Sequence, residues 1–177
     1  MNKIELIKTE RDGLKIKDDI HRFAKEGWES ISEEDIQRLK WYGLFLRNPT
    51  PGYFMLRVRI PNGFSFSHQV KALSLIAETY GNGLIDITTR QQVQLRHLKI
   101  ESIPQVFQLL EEVGLTSSQT GMDNVRNIMG CPVAGLNPKE KVDAYSLVKA
   151  LNEHIIGNPE FSNLPRKFNI TLSGCPD

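Results

Sequence analysis

One alternation constrains the fold more than anything else in the chain. In Tyr53-Phe54-Met55-Leu56-Arg57-Val58-Arg59-Ile60, the residues Phe54, Leu56, Val58 and Ile60 fall on one face, and Tyr53, Met55, Arg57 and Arg59 on the other. A period of two over this length specifies a half-buried strand, and Pro61-Asn62-Gly63 ends it. The period then changes. Phe66, Val70, Leu73, Ala77 and Tyr80 recur at helical spacing as far as Gly81 or Gly83. Residues 84–89 and 93–97 read as two more strands. Ser102 and Pro104 open a second helix bearing Ile103, Val106, Phe107, Leu110 and Val113, with Gly114 past its end.

Strand, helix, strand, strand, helix is therefore the order over residues 53–114. A right-handed crossover makes the first two strands parallel, and the third pairs antiparallel. This is most of a ferredoxin-like α+β unit with both helices on one sheet face, and residues 115–120 are expected to supply the fourth strand. Upstream, Asp18–Ala24 reads as a short helix closed by Gly27, and Ser32 with Asp35 caps another carrying Ile36, Leu39, Trp41 and Leu44. Asn48-Pro49-Thr50-Pro51-Gly52 is a turn cluster. Downstream, Lys139–Ile156 reads as a helix with Ala144, Leu147, Val148, Leu151 and Ile155 inward, and Phe168–Leu172 as a strand. The expected organisation is a helical N-terminal extension over 1–50, the α+β unit over 51–118, and the start of a further domain over 119–177.

Composition excludes several function classes. Twenty-two Lys plus Arg against 21 Asp plus Glu, a net charge of +1, argues against a polybasic nucleic-acid arm or an acidic tail. No apolar run approaches the ~18 residues of a membrane helix, and the start MNKIELIKTERDG resembles neither a signal nor a transit peptide. A cytoplasmic protein is expected. With two cysteines, Cys131 and Cys175, the chain has no disulfide framework and too few thiolates for an iron–sulfur cluster of its own. The common nucleotide, zinc and hydrolase motifs are absent.

The sheet face away from the helices is chemically informative. Alternation places Arg57, Arg59, Gln94 and Arg96 there, with Arg90 where the second strand ends. One reading is a set of solvated arginines on a wet sheet face. The other is a basic platform for a polyanion, since guanidinium forks pair bidentately with carboxylates and oxyanions.

Three segments favour the platform. Thr88-Thr89-Arg90-Gln91, Gly121-Met122-Asp123-Asn124-Val125-Arg126-Asn127 and Asn163-Leu164-Pro165-Arg166-Lys167-Phe168-Asn169, in that order, resemble the sirohaem-dependent nitrite and sulfite reductases. The likeness is closest to the ferredoxin-dependent assimilatory nitrite reductases of cyanobacterial type. Gly52–Gly63 and Pro132–Pro138 add to it, and the likeness runs from about Leu14 to Asn169. The resemblance implies six-electron reduction of nitrite to ammonia, with ferredoxin as donor and sirohaem coupled to a [4Fe–4S] cluster as cofactors. Carried over by position, it implies Arg90, Arg126, Lys167 and Asn169 as the residues that hold and protonate the anion. Arg57, Arg59, Gln94, Arg96 and Arg166 are expected to pair the sirohaem carboxylates. A neutral Asn169, where sulfite-specific relatives tend to carry lysine, favours monoanionic nitrite over sulfite.

The chain departs from the family in one respect. The four cluster cysteines are missing, and neither Cys131 nor Cys175 matches a ligand position. The expectation is an N-terminal fragment, inactive alone, whose uncovered strand near 168–172 and basic face promote homo-oligomers. The competing readings are a sulfite reductase and a non-catalytic ferredoxin-like binding domain. An RNA-recognition module is disfavoured because its aromatic signature is absent, so neither nucleic acid nor membrane is an expected partner.

Overall fold

The computed structural model describes residues 2–176. Four strands form the central sheet: β1 (Leu44–Arg47), β2 (Thr50–Val58), β3 (Ile85–Ile87) and β4 (Val93–Lys99), in the order β1-β2-β4-β3. β4 runs antiparallel to both β2 and β3, so β2 and β3 are parallel, as the crossover through α4 (Ser67–Tyr80) requires. The β2–β4 register slips between Phe54 and Leu56, where β4 bulges and His97 takes φ 60°.

The fourth strand comes from the N-terminal side, not from residues 115–120. Leu44 falls in phase with the helix before it, yet it starts β1, because Gly43 at φ 71° turns the chain out of the helix. Asn48 and Pro49 then close a hairpin in which Arg47 faces Thr50, so Thr50, Pro51 and Gly52 belong to β2. Residues 115–120 form a polar loop, with Thr116 making an isolated bridge to Arg59. Leu-Thr-Ser-Ser-Gln-Thr has no alternation to bury, and its hydroxyl and amide groups are used in turns instead.

One core lies between the sheet and its helices. Phe54, Leu56, Val58, Leu95 and Leu98 pack against Leu73, Ile76 and Ala77 of α4 and Ile103, Val106, Phe107 and Leu110 of α5 (Ile103–Glu112). The N-terminal region contributes α1 (Lys3–Glu10), α2 (Ile20–Glu26) and α3 (Glu33–Leu39). The Ser32 hydroxyl accepts the Asp35 amide at 3.1 Å, which fixes the start of α3. Ile16, Ile20, Phe23, Ile31 and Leu39 enter the same core, each stabilising the packing by roughly 1.5–3 kcal/mol.

A second, smaller core holds the C-terminal third. Val125, Ile128, Val148 and Ile155 are buried between α6 (Ala144–Ile155) and the short parallel pair β5 (Met129–Gly130) and β6 (Thr171–Leu172). α6 begins at Ala144, later than its periodicity suggests, because Asp143 caps it by accepting the Ser146 amide. Leu147 faces outward at 52% exposure instead of packing inward. Among the described residues no helix is long and apolar enough to cross a membrane.

Candidate anion-binding site

The sheet face opposite the helices is not the wet surface that alternation suggests. The loop over residues 116–127 folds back across its end, and Ser117, Ser118, Gln119, Thr120, Asn124 and Asn127 of that loop are all buried. Arg59, expected to reach a cofactor carboxylate, is 1% exposed and holds the loop instead. Its Nε donates to Ser118 O, its two terminal nitrogens to Gln119 O, Val125 O, Arg126 O and Asn152 Oδ1, over 2.7–3.4 Å. Every donor of the fork is spent on the protein, so none remains for a ligand. Burial, then the neighbouring Arg126, push its pKa down to about 9.

Arg57, Arg90 and Arg126 gather at the rim of this loop. Arg57 lies on β2, lies over the Phe45 ring at 4.9 Å, and donates to Thr120 O at 3.0 Å. Arg126 donates to the same carbonyl at 2.7 Å, so two guanidiniums converge on one oxygen. Arg90 sits in the turn after β3, where the Thr88 hydroxyl accepts the amides of Arg90 and Gln92. Asn127 fastens that turn by donating to Ile60 O and Arg90 O at 2.8 and 2.9 Å. Gln91 pairs both ways with Gly130, accepting from its amide and donating to its carbonyl.

The charge of Arg90 acts on both Arg57 and Arg126. Burial first, then Arg57 and Arg90, lower the Arg126 pKa to about 10, and burial followed by Arg90 lowers that of Arg57. Among the described residues none of the three forms an ion pair. Arg57 Nε and Arg126 Nε are buried without a partner. Like charges packed this way oppose folding unless an anion joins them.

The third motif runs beside the second. Leu164 N donates to Asp123 O, Phe168 N to Asn124 O, and Arg126 N to Phe168 O, at 2.8, 3.0 and 2.9 Å. This zipper brings Arg126, Arg166 and Lys167 around one open cavity of about 260 Å³, shared with Asp123, Met122 and the start of α1. Arg166, Lys167 and Asn169 are all exposed. Gln94 lies opposite Arg57 and Asp86 in the sheet register. Arg96, one turn of the pleat further, is held by Asp86 at 2.5 Å, so its charge is already answered within the sheet. The structure thus groups Arg57 and Arg90 with Arg126, places Arg166 and Lys167 around the cavity that Arg126 also lines, and leaves Arg59 and Arg96 committed to other partners.

Several residues of the site carry no sequence signal of their own. Trp41 Nε1 donates to the Ser162 hydroxyl, which donates to Asn124 Oδ1, and Asn124 Nδ2 donates to Gly121 O, tying the N-terminal helices to the loop over residues 116–127. Lys8 reaches the same place from α1. Gly121 permits the loop to pass Lys40, since a Cβ there would lie 2.0 Å from the Lys40 carbonyl oxygen. Cys131 and Cys175 are free thiols, and Asn137 donates to Cys175 Sγ. Among the described residues no group of three or more His, Cys, Asp and Glu side chains could hold a metal. The residues present therefore do not fit an iron–sulfur cluster, whereas the unpaired guanidiniums fit a polycarboxylate such as sirohaem together with a small oxyanion.

Two family models match parts of this chain. Residues 47–113 match the nitrite/sulfite reductase ferredoxin-like half domain, and residues 121–177 the nitrite and sulphite reductase 4Fe-4S domain. Ferredoxin–nitrite reductases of Leptolyngbya laminosa and Synechococcus elongatus are 50% and 51% identical over all of this chain, which covers 36% of each. The assimilatory ferredoxin-dependent nitrite reductase of Haloferax mediterranei is 38% identical over 98% of the chain and 32% of its own length. The solved structure of the Mycobacterium tuberculosis NirA protein superposes with a TM-score of 0.92 at 29% identity, over 98% of this chain and 35% of that one. The chain thus spans about a third of the length of the relatives it matches. With one family domain matching residues 47–113 and the other residues 121–177, the chain belongs to the nitrite and sulfite reductase family.

Proposed function

We propose that this chain forms the anion-gripping part of an assimilatory nitrite reductase, which reduces nitrite to ammonia with six electrons from ferredoxin in the cytoplasm. The observation that carries the reading is the Arg57–Arg90–Arg126 group, half-buried and without a counter-ion of its own. Relatives named ferredoxin–nitrite reductase, at about half identity over the whole chain, support nitrite as the anion and ferredoxin as the donor.

Each residue has a role its chemistry suits. Arg126 and Arg90 present guanidinium forks, so they clamp the anion and favour the negative charge that gathers on the departing oxygen. Lys167, on the exposed lip of the cavity, holds and delivers protons to that oxygen. Asn169 offers an amide hydrogen bond without adding charge, which suits a monoanion. Arg57 and Arg166 would hold the carboxylates of sirohaem, and Gln94 would donate to one of them. Bound there, sirohaem would supply the iron site and the electrons that the reduction needs. The ligands of the [4Fe–4S] cluster would come from segments of the protein other than this chain.

The test is steady-state nitrite reduction by the complete, cofactor-loaded reductase. Arg126→Gln should lower kcat/KM for nitrite by about a hundredfold, the scale on which a single charge-stabilising donor acts. Lys167→Met should lower kcat more than it raises KM. An Arg126→Gln enzyme with unaltered kcat/KM would refute the reading. If Asn169→Lys raised sulfite turnover above nitrite turnover, that would bear out the reading of Asn169 as the residue that selects the monoanion.

A further inference from the structure

The cavity that holds Arg126 and Lys167 also contains a carboxylate, that of Asp123, and a carboxylate in an anion site is a competitor. Its charge reaches Arg126 and acts to keep that guanidinium protonated. Left free, it would pair with Arg126 and neutralise the clamp. The structure shows what prevents this. Lys8, on the inward side of α1, has a side chain only 5% exposed, and its ammonium lies 3.2 Å from Asp123 Oδ2. The same ammonium donates to Leu164 O at 2.9 Å and pairs with Glu5 at 2.6 Å. Leu164 and Asp123 are already joined through the backbone, Leu164 N to Asp123 O. One cation thus closes the end of the zipper and occupies the acid beside the anion clamp. Asn2, Ile4 and Glu5 of the same N-terminal stretch complete the cavity wall.

We infer that Lys8 is a positioning residue of the nitrite site: by holding the Asp123 carboxylate away from Arg126, it keeps Arg126 free for the substrate anion. The inference rests on the nitrite-site reading above and adds the N-terminal helix to the catalytic apparatus. Lys8 is buried among groups of fixed place, so it is not a substrate ligand itself. Its own charge is secured despite desolvation, because Glu5 and Asp123 raise its pKa.

The experiment uses the complete, cofactor-loaded reductase. Lys8→Met should raise the nitrite KM about tenfold while changing kcat by less than threefold, because Arg126 must then exchange Asp123 for nitrite. Lys8→Arg should recover most of the loss. The double variant Lys8→Met/Asp123→Asn should recover it as well, since the competitor is gone although the zipper still lacks its cation. Amide hydrogen exchange gives a readout apart from turnover: Leu164 and Arg126 should exchange faster in Lys8→Met and in the double variant alike. Rescue of KM without rescue of exchange is what charge competition predicts and simple loosening does not. An unaltered KM in Lys8→Met, or a double variant no better than the single one, overturns the inference. If Arg126→Gln leaves kcat/KM for nitrite unaltered, the nitrite-site reading falls, whereas its effect beside an inert Lys8→Met removes only this inference.

Discussion

Replacing Arg59 by methionine tests how the sheet holds the anion loop. The substitution keeps an unbranched apolar stem but removes the guanidinium and with it all the donors that meet Ser118 O, Gln119 O, Val125 O, Arg126 O and Asn152 Oδ1. Each lost hydrogen bond has a net worth of about 1 kcal/mol, and a buried acceptor left unmet costs about 1–3 kcal/mol. Against this, methionine avoids burying a cation, which burial and Arg126 disfavour here. The expected net loss is about 3–5 kcal/mol, a large share of an ordinary domain's stability. Arg59→Lys restores the charge without the fork and should recover only part of it. Urea unfolding followed by tryptophan fluorescence is a direct assay, since Trp41 Nε1 donates to Ser162 at the edge of the loop. A loss below about 1 kcal/mol would show that Arg59 is not what fastens residues 118–126.

Other outcomes follow from the same contacts. Asn127→Ala frees the Arg90 turn and should cost about 1–3 kcal/mol, with faster hydrogen exchange at the Gln91 and Gln92 amides as the local sign. Gly121→Ala forces a methyl group against the Lys40 carbonyl and the Phe45 ring, so a drop of about 1–3 kcal/mol in denaturant stability is expected. Anion affinity should be level between about pH 6 and 9 and fall as pH rises through about 10, where Arg126 loses its proton. The sign follows because only the protonated guanidinium attracts the anion, and bound anion should shift the fall to higher pH. In acid the opposite limb appears: Asp19, desolvated but held by Arg11 and Arg22, has its carboxyl below the ordinary value. Its contribution to stability is present above the unfolded-state pKa of 3.8 and should fade as pH drops through the lower folded value. An acid unfolding curve of Asp19→Asn that matches the parent's would contradict that.

Much of the fold is written in short-range periodicity, and the parts that are not have identifiable causes. β2, α4, β4 and α5 each repeat long enough for period two or 3.6 to be unambiguous. β1 has four residues, and Leu44 fits the preceding helical period equally well, so only the positive φ of Gly43 separates strand from helix. Alternation correctly places Arg57 and Arg59 on the same sheet face. It says nothing of what lies above that face, and Arg59 is buried by carbonyls from about sixty residues away. Arg90, Arg126 and Lys167 are legible through the resemblance of their motifs, not through spacing. Lys8 is invisible to both, because its partner Leu164 O is 156 residues distant and nothing local marks the lysine as buried.

In the proposed reading Arg90 and Arg126, with Lys167, hold nitrite against sirohaem. A crystal structure of the complete, cofactor-loaded protein with nitrite bound tests it most directly. The account predicts an anion oxygen within hydrogen-bond reach, about 2.7–3.2 Å, of the Arg126 guanidinium, with Lys167 on the same side. Nitrite bound with Arg126 turned to Asp123, or held by side chains outside residues 88–91, 121–127 and 163–169, would contradict it.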